Sequence, residues 1–296
     1  MQALAIKATG IYLDGTFGRG GHSRALLARL GPEGRLLAVD RDPDALAAGT
    51  ALASEDPRFA IEQARYSALP ALVRERGWDG SVSGILLDLG VSSPQLDAPE
   101  RGFSFLHDAP LDMRMDPSTG PSAADWLASA SEQEITRVLR DLGEERFARR
   151  IARAIAAARR SEPITRTGQL AALIERSVPT REPGKHPATR SFQAIRIEIN
   201  NELNELHAFL AEVCELLIAA GRLTVISFHS LEDRIVKRFI RDEAQGAAVP
   251  KGVPVRDSEL PRRLRSIGRA IRPGAVEIER NPRARSAVMR VAERTA

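Results

Sequence analysis

Asp14-Gly15-Thr16-Phe17-Gly18-Arg19-Gly20-Gly21-His22 lies between an apolar run, Ile11-Tyr12-Leu13, and a helical pattern from Ser23 to Leu30. Four glycines between a strand and a helix let the backbone turn tightly and come close to a bound nucleotide-like ligand. A second apolar strand, Arg35-Leu36-Leu37-Ala38-Val39-Asp40, follows and ends in a carboxylate. An acid about 20 residues beyond the glycines is placed to accept the hydroxyls of a ribose. Strand, glycine loop, helix, strand, acid: the order specifies an α/β sheet with a site for a cofactor that has an adenosine end.

The glycine loop alone would serve NAD or S-adenosylmethionine, and a bland tight turn is the simpler alternative. Gly15, Gly18, Gly20 and Gly21 do not match the dinucleotide spacing G-x-G-x-x-G. Asp14 at the head of the loop would suit the ammonium of a methionine moiety and repel a pyrophosphate. Both details favour the methyl donor. An oxidoreductase would also need a hydride-transfer pair such as Tyr-x-x-x-Lys, and no obvious one is present.

Further strands are expected near Phe59–Gln63 and Ser83–Asp88, with amphipathic helices between, which implies a parallel sheet covered on both faces. After Gly90 a Pro-, Gly-, Ser- and Asp-rich loop runs to Pro121. The periodicity then turns helical over Ser122–Ser129, Ser131–Leu142, Glu144–Arg159 and Thr167–Ser177. Pro179–Pro187 reads as a break. A long helix, about Thr189 to Ala220, leads into a strand at Leu223–Phe228, and Ser286–Ala292 reads as a final strand at the sheet edge or beside its neighbour. The expected organisation is a discontinuous sheet domain, 1–105 and 189–296, with an all-helical insert at 106–188.

Ser83–Gln95 carries the second motif: a buried strand ends in Asp88, and Gly90, Ser92, Ser93 and Pro94 follow. Asp88, with Ser92 and Ser93 of its loop, is expected to face the reacting group, although an acid there can also be a plain turn-former. Methylation of an exocyclic amine suits this arrangement. The amine lone pair is delocalised into the ring, so a carboxylate that accepts its N–H favours the geometry of attack, and alignment supplies much of the rate. Methylation at a ring carbon would need a thiolate. The single cysteine, Cys214, sits on an apolar helical face, where core packing is the better reading.

His22, His107, His186, His207 and His229 are scattered without paired ligand spacing, so no metal site is expected. His22 is expected to touch the cofactor and Tyr66 to stack on its adenine. Trp126 is placed either to stack on an unpaired base or to fill a core. His229 follows a strand end and reads equally as structural or as facing the site. From Arg234 to Ala296 there are 16 Lys or Arg against 7 Asp or Glu, mostly arginine, which suits a phosphate-rich partner. An exposed stripe at Arg146, Arg149, Arg150 and Arg153 reads as a phosphate contact or as a solvated face.

One cysteine excludes an internal disulfide, Met1–Gly10 lacks the apolar core of a leader, and Phe209–Ala220 is too short to span a bilayer. A cytoplasmic protein is expected.

Seven runs, Asp14–Ser23, Leu87–Leu96, Glu100–Phe105, Pro110–Asp116, His186–Asn200, Ser227–Arg238 and Asn281–Ser286, together resemble the bacterial ribosomal RNA small-subunit methyltransferase H family, also called MraW. The resemblance covers nearly the whole chain. It implies a Rossmann-like S-adenosylmethionine-dependent methyltransferase sheet with an inserted all-helical domain. The implied reaction is methylation of the N4 amine of a decoding-centre cytidine in 16S ribosomal RNA. It places cofactor contacts on Gly20, Gly21, His22, Asp40, Tyr66, Asp88 and Gln95. Substrate contacts are expected at Asp97, Trp126, His229, Arg283 and Arg285, and 16S rRNA within the small ribosomal subunit as partner. A homodimer is left open. Members of the family usually carry a His-x-Pro-Val-Leu-like element and a helix before the first strand, and Met1-Gln2-Ala3-Leu4 falls inside that helix.

Overall fold

The computed structural model describes residues 1–180, 184, 186–246 and 262–296. Parts of the expected break at Pro179–Pro187 and of the basic C-terminal stretch lie outside those residues. The chain forms two compact units, Met1–Gly90 with Leu203–Ala296, and Val91–Glu202.

The first unit is a seven-stranded sheet: β1 (Ile11–Asp14), β2 (Arg35–Asp40), β3 (Phe59–Gln63), β4 (Val82–Asp88), β5 (Leu217–Ser227), β6 (Leu264–Ser266) and β7 (Val288–Arg294). Their spatial order is β3-β2-β1-β4-β5-β7-β6. β1 to β5 run parallel, whereas β7 runs antiparallel between β5 and β6. The parallel sheet expected from the alternation over residues 11–89 is present in β1 to β4; antiparallel β7 makes the whole sheet mixed, and the Rossmann-like fold stands.

The apolar strand runs bury both faces. Leu37 and Val39 of β2 join Leu13, Ile85 and Leu87 in one core; Leu36 and Ala38 join Tyr12 and Leu86 in the other. Successive residues point to opposite faces, so a strand covered on both sides must be apolar throughout. Helices α1 (Gly21–Leu27) and α2 (Pro43–Glu55) cover the second core through Leu26, Leu27 and Leu52. Helix α3 (Leu69–Glu75) covers the first. The start of α2 is written locally: Pro43 sits at its first turn and the Asp42 carboxylate accepts the Asp44 N–H at 3.0 Å.

The second unit holds α4 (Ser93–Asp97), α5 (Ala123–Ser129), α6 (Glu132–Asp141), α7 (Ala148–Ala158), α8 (Thr167–Ser177) and α9 (Thr189–Asn200). These helices close around Leu127, Ile135, Leu139, Ile151, Leu170 and Ile195. Ser122 and Asp125 form a reciprocal cap that starts α5.

The long helix expected over Thr189–Ala220 is two helices, α9 and α10 (Glu202–Leu216). Asn201 separates them at φ 53°, the left-handed conformation that asparagine tolerates better than most residues. The following strand begins at Leu217 rather than Leu223. Helix α11 (Ser230–Gln245) then packs on the sheet through Val236 and Ile240, and α12 (Ala275–Arg280) precedes β7. Of the two places expected for the final strand, it takes the one beside its neighbours: β7 pairs with β5 and β6, and β6 forms the edge.

Candidate active site

β1 and β4 are neighbours, yet β2 and β3 lie on the other side of β1, so the connections diverge there. In an open parallel sheet that switch point opens a crevice at the carboxyl ends of the strands. The register aligns Ala38, Asp14 and Leu86 across β2, β1 and β4. Asp40, Thr16 and Asp88 each lie two residues further on, at the rim. Asp40 and Asp88 are therefore two strand spacings apart, roughly 10 Å.

The glycine loop is tied to both neighbours of β1. The Gly15 N–H donates to the Leu86 carbonyl at 2.9 Å, and the Phe17 N–H to that of Val39 at 3.2 Å. A Cβ on Gly15 would overlap Leu87, and Gly20 adopts φ 77° directly before α1. Both positions need glycine, one for space and one for conformation. Gly21, by contrast, has open space where a side chain would be.

Asp40 accepts the Gly18 N–H at 2.8 Å and the Asp42 N–H at 2.9 Å. Burial pushes its carboxyl above the usual range, although these backbone donors pull the other way. The Arg41 backbone N–H is a third donor to this carboxylate; of about four lone-pair positions, one remains for a hydroxyl donor.

At the tip of β4, His22 Nε2 lies 3.3 Å from Asp88 Oδ2. The Asp88 carboxylate raises the His22 imidazole above its ordinary pKa. The Asp88 N–H donates to Thr16 Oγ1 at 2.7 Å. Asp88 Oδ1 accepts no hydrogen bond from the described residues. Tyr66 begins a turn after β3, partly exposed, with its ring edge-on to Phe209 at 6.0 Å.

Asp14 does not take the part the sequence suggests. Its carboxylate is fully buried and accepts the Ser23 hydroxyl at 2.7 Å and the Thr16 N–H at 3.1 Å. It braces the loop from beneath and does not face a ligand ammonium. Thr16 and Ser23, which the sequence does not single out, complete this brace, and only their positions around Asp14 give them away.

Burial pushes the Asp14 carboxyl up to about 6. Because this folded value exceeds the unfolded one, the contribution to stability is complete below about pH 4 and is lost as pH rises through about 6. Asp14→Asn is therefore expected to flatten the stability profile over that window by on the order of 2–3 kcal/mol. Urea midpoints measured at each pH check this, and parallel profiles for variant and parent would refute it.

The helical unit carries the other expected residues. Ser92 and Gln95 cap α4 reciprocally: Ser92 Oγ accepts the Gln95 N–H at 3.4 Å, and Gln95 Oε1 accepts the Ser92 N–H at 2.8 Å. The Ser92 hydroxyl is thus a helix cap. Ser93 and Asp97 are exposed on the same short helix. Trp126 is a correction: at 8% exposure it belongs to the helical core, and its ring is not available to a base.

His229 is a second correction. It is the N-cap of α11, buried against Glu232, with Nδ1 accepting the Glu232 N–H at 3.5 Å. It holds a helix start and is not open to substrate. Arg283 and Arg285 are exposed on a 3-10 turn, Pro282–Ser286. Much of the basic tail is committed to ion pairs, since Arg263 binds Glu243 and Glu215, and Arg290 binds Asp233. In the helical unit Arg146, Arg149, Arg150 and Arg153 are exposed, with Arg153 4.0 Å from Glu132.

Cys214 is buried in the core, and burial pushes its thiol up to about 11, far from a reactive thiolate. No helix among the described residues is long and apolar enough to cross a membrane.

The family model described as the MraW methylase family matches residues 1–295. The ribosomal RNA small subunit methyltransferase H of Azoarcus sp. (strain BH72) is 63% identical over 295 residues, covering 99% of this chain and 94% of that protein. The protein of the same name from Thiobacillus denitrificans is 61% identical over 297 residues, covering 100% of this chain and 94% of its own length. That of Thioalkalivibrio sulfidiphilus is 59% identical over 297 residues, covering 100% and 95%.

Proposed function

The chain belongs to the MraW methylase family, and from that premise we propose that it methylates the N4 amine of a decoding-centre cytidine in 16S ribosomal RNA, with S-adenosylmethionine as donor. The observation that carries the reading is the pair of carboxylates at the strand tips. Asp40 keeps an acceptor position open beside the glycine loop, and Asp88 is oriented by His22 with its Oδ1 buried and unpartnered among the described residues. Those residues fit the donor: an acid for ribose hydroxyls and glycines for close approach.

S-Adenosylmethionine supplies an electrophilic methyl carbon when bound. The chain's own residues bind and orient. Asp40 accepts a ribose hydroxyl, the Gly18–Gly21 backbone borders the amino-acid end, and Tyr66 offers a ring face to adenine. Asp88 accepts an N–H of the target amine and takes its proton as the nitrogen bonds the methyl carbon and the bond from that carbon to sulfur breaks. His22 holds the carboxylate in place. Ser93, with Asp97, Arg283 and Arg285 at the surface, is proposed to meet the RNA. The assembled small subunit is the proposed substrate.

The test is transfer of a radiolabelled methyl group to small subunits from cells that lack the modification, followed by nucleoside analysis. Label in N4-methylcytidine is expected; label in a ring-carbon product, or none, refutes the proposal. The absence of thiolate chemistry has its own check. Cys214→Ala is expected to keep methyl transfer within about two-fold of the parent while lowering stability by about 1 kcal/mol through poorer packing. A variant that folds but is inactive would contradict this.

A further inference from the structure

Helix α11 and the β6–β7 edge enclose a groove of about 320 Å³ that the methyl-transfer site does not use. Ile240, Ile267 and Val291 are among its apolar lining, and Lys237, Arg241, Arg269 and Arg290 contribute the charge. None of the described lining residues is acidic. Lys237 and Arg241 stand one helical turn apart on α11, the spacing that puts two side chains on the same face. Arg269 follows Gly268, whose φ of 68° turns the chain after β6.

The four cations are not equivalent. The Arg290 guanidinium is held by Asp233 at 2.6 and 2.9 Å, and that of Arg241 by Asp242 at 2.8 and 2.7 Å. Lys237 and Arg269 are exposed and have no carboxylate partner among the described residues. Uncompensated cations over an apolar floor suit a ligand with a phosphate at one end and a sugar ring at the other. A volume near 300 Å³ is at the lower bound for small-ligand clefts, enough for part of a nucleotide and too little for a folded domain.

The sheet register locates the groove relative to the site. Asp88 pairs with Ile226, Ile226 with Met289, and Met289 with Ile271 at the end of the arm that carries Arg269. Three strand spacings, roughly 15 Å, therefore separate the Asp88 strand from that arm, on one rim of the sheet. A single strand whose target base reaches Asp88 would pass the groove within a few nucleotides.

We propose that this groove grips a phosphodiester of the RNA strand near the methylated cytidine, with Lys237 and Arg269 neutralising the phosphate and the adjoining ribose lying on the apolar floor. The inference rests on the RNA reading and names where that RNA is held. Phosphate contacts position a substrate without reading its sequence, so the groove sets affinity and registration and leaves the chemical step alone.

The test is the double variant Lys237→Ala/Arg269→Ala. Both residues are exposed and outside the donor site, so folding and donor binding should match the parent in a melting scan with and without S-adenosylhomocysteine. Two readouts decide. In methyl-transfer kinetics on unmodified small subunits, KM for the subunit should rise about tenfold with kcat unchanged. In anisotropy titrations with a single-stranded RNA, the log–log salt dependence should become shallower by roughly 0.7 for each phosphate that the variant no longer neutralises.

Unchanged KM and salt slope would overturn the groove while leaving the methyltransferase reading intact. A parent that transfers no methyl, but whose RNA binding still depends on Lys237 and Arg269, would refute the proposed function and keep the groove. Uridine monophosphate supplies the remaining arm. If it binds the parent through these residues while RNA binding ignores them, the groove is a small-anion site and the proposal fails.

Discussion

Asp40→Ala is expected to weaken S-adenosylmethionine binding about 100-fold or more and to abolish the donor-induced rise in melting temperature. A hydrogen bond to a charged partner contributes about 1.5–3 kcal/mol, and a ribose hydroxyl would take the open position on this carboxylate. The upper figure, about 3 kcal/mol, is the stated factor. The change also removes the acceptor of the Gly18 and Asp42 N–H groups, which fixes the loop beside the ligand. Asp40→Asn is a milder change. It keeps one acceptor oxygen, but its NH2 faces the other backbone N–H, so it should lose part of the parent's stability and bind with intermediate affinity. Calorimetric titration with S-adenosylhomocysteine is the measurement, and an affinity for Asp40→Ala within threefold of the parent would sink the assignment.

Removing Asp88 should act on the chemical step. With Asp88→Ala we expect kcat to fall by a factor on the order of 100–10,000, the range for a missing acceptor of a reacting proton, while the affinity for S-adenosylhomocysteine changes less than tenfold. A second signature is independent of turnover. The carboxylate is the largest cause of the raised His22 pKa, so the His22 titration followed by NMR should move downward in the variant. A kcat close to the parent's would remove Asp88 from the mechanism. An unmoved His22 titration would mean that the His22–Asp88 pair at 3.3 Å does not form in solution.

The strands β1, β2 and β3 and the helix over Thr167–Ser177 are legible because short apolar runs or three- and four-residue spacing end at clear punctuation. Where tertiary pairing decides, the signal vanishes. β6 is only Leu264-Arg265-Ser266, with no apolar pattern, and it is a strand because β7 offers it partners. Apolar periodicity runs straight through Asn200-Asn201, so a break made by one residue's left-handed backbone is hidden in an otherwise helical stretch. Leu217-Ile218-Ala219-Ala220 reads equally as helix; only Leu217 of these pairs with β4, before the register shifts to Arg222.

The position of the glycines, Asp40 and Asp88 past the carboxyl ends of their strands is legible, because strand runs ending in glycine or an acid mark those ends. Asp14 misleads for a reason of the same kind. A carboxylate at a strand tip can point up to ligand or down into the fold, and only Ser23, nine residues on, reveals which. Trp126 and His229 show how little residue type says about exposure. Each sits where a functional role is chemically plausible, and each is spent on packing or on starting a helix.

β7 is the last strand along the chain but occupies an interior place, between β5 and β6. A ribosome making this protein therefore releases residues 217–227 long before their antiparallel neighbour at 288–294 exists. Until then β5 presents bare amide and carbonyl groups, the kind of template that invites pairing with another nascent chain. Shielding in the cell should matter most in that interval, and a stop codon a few dozen bases early should yield inclusion bodies in place of a slightly shorter enzyme.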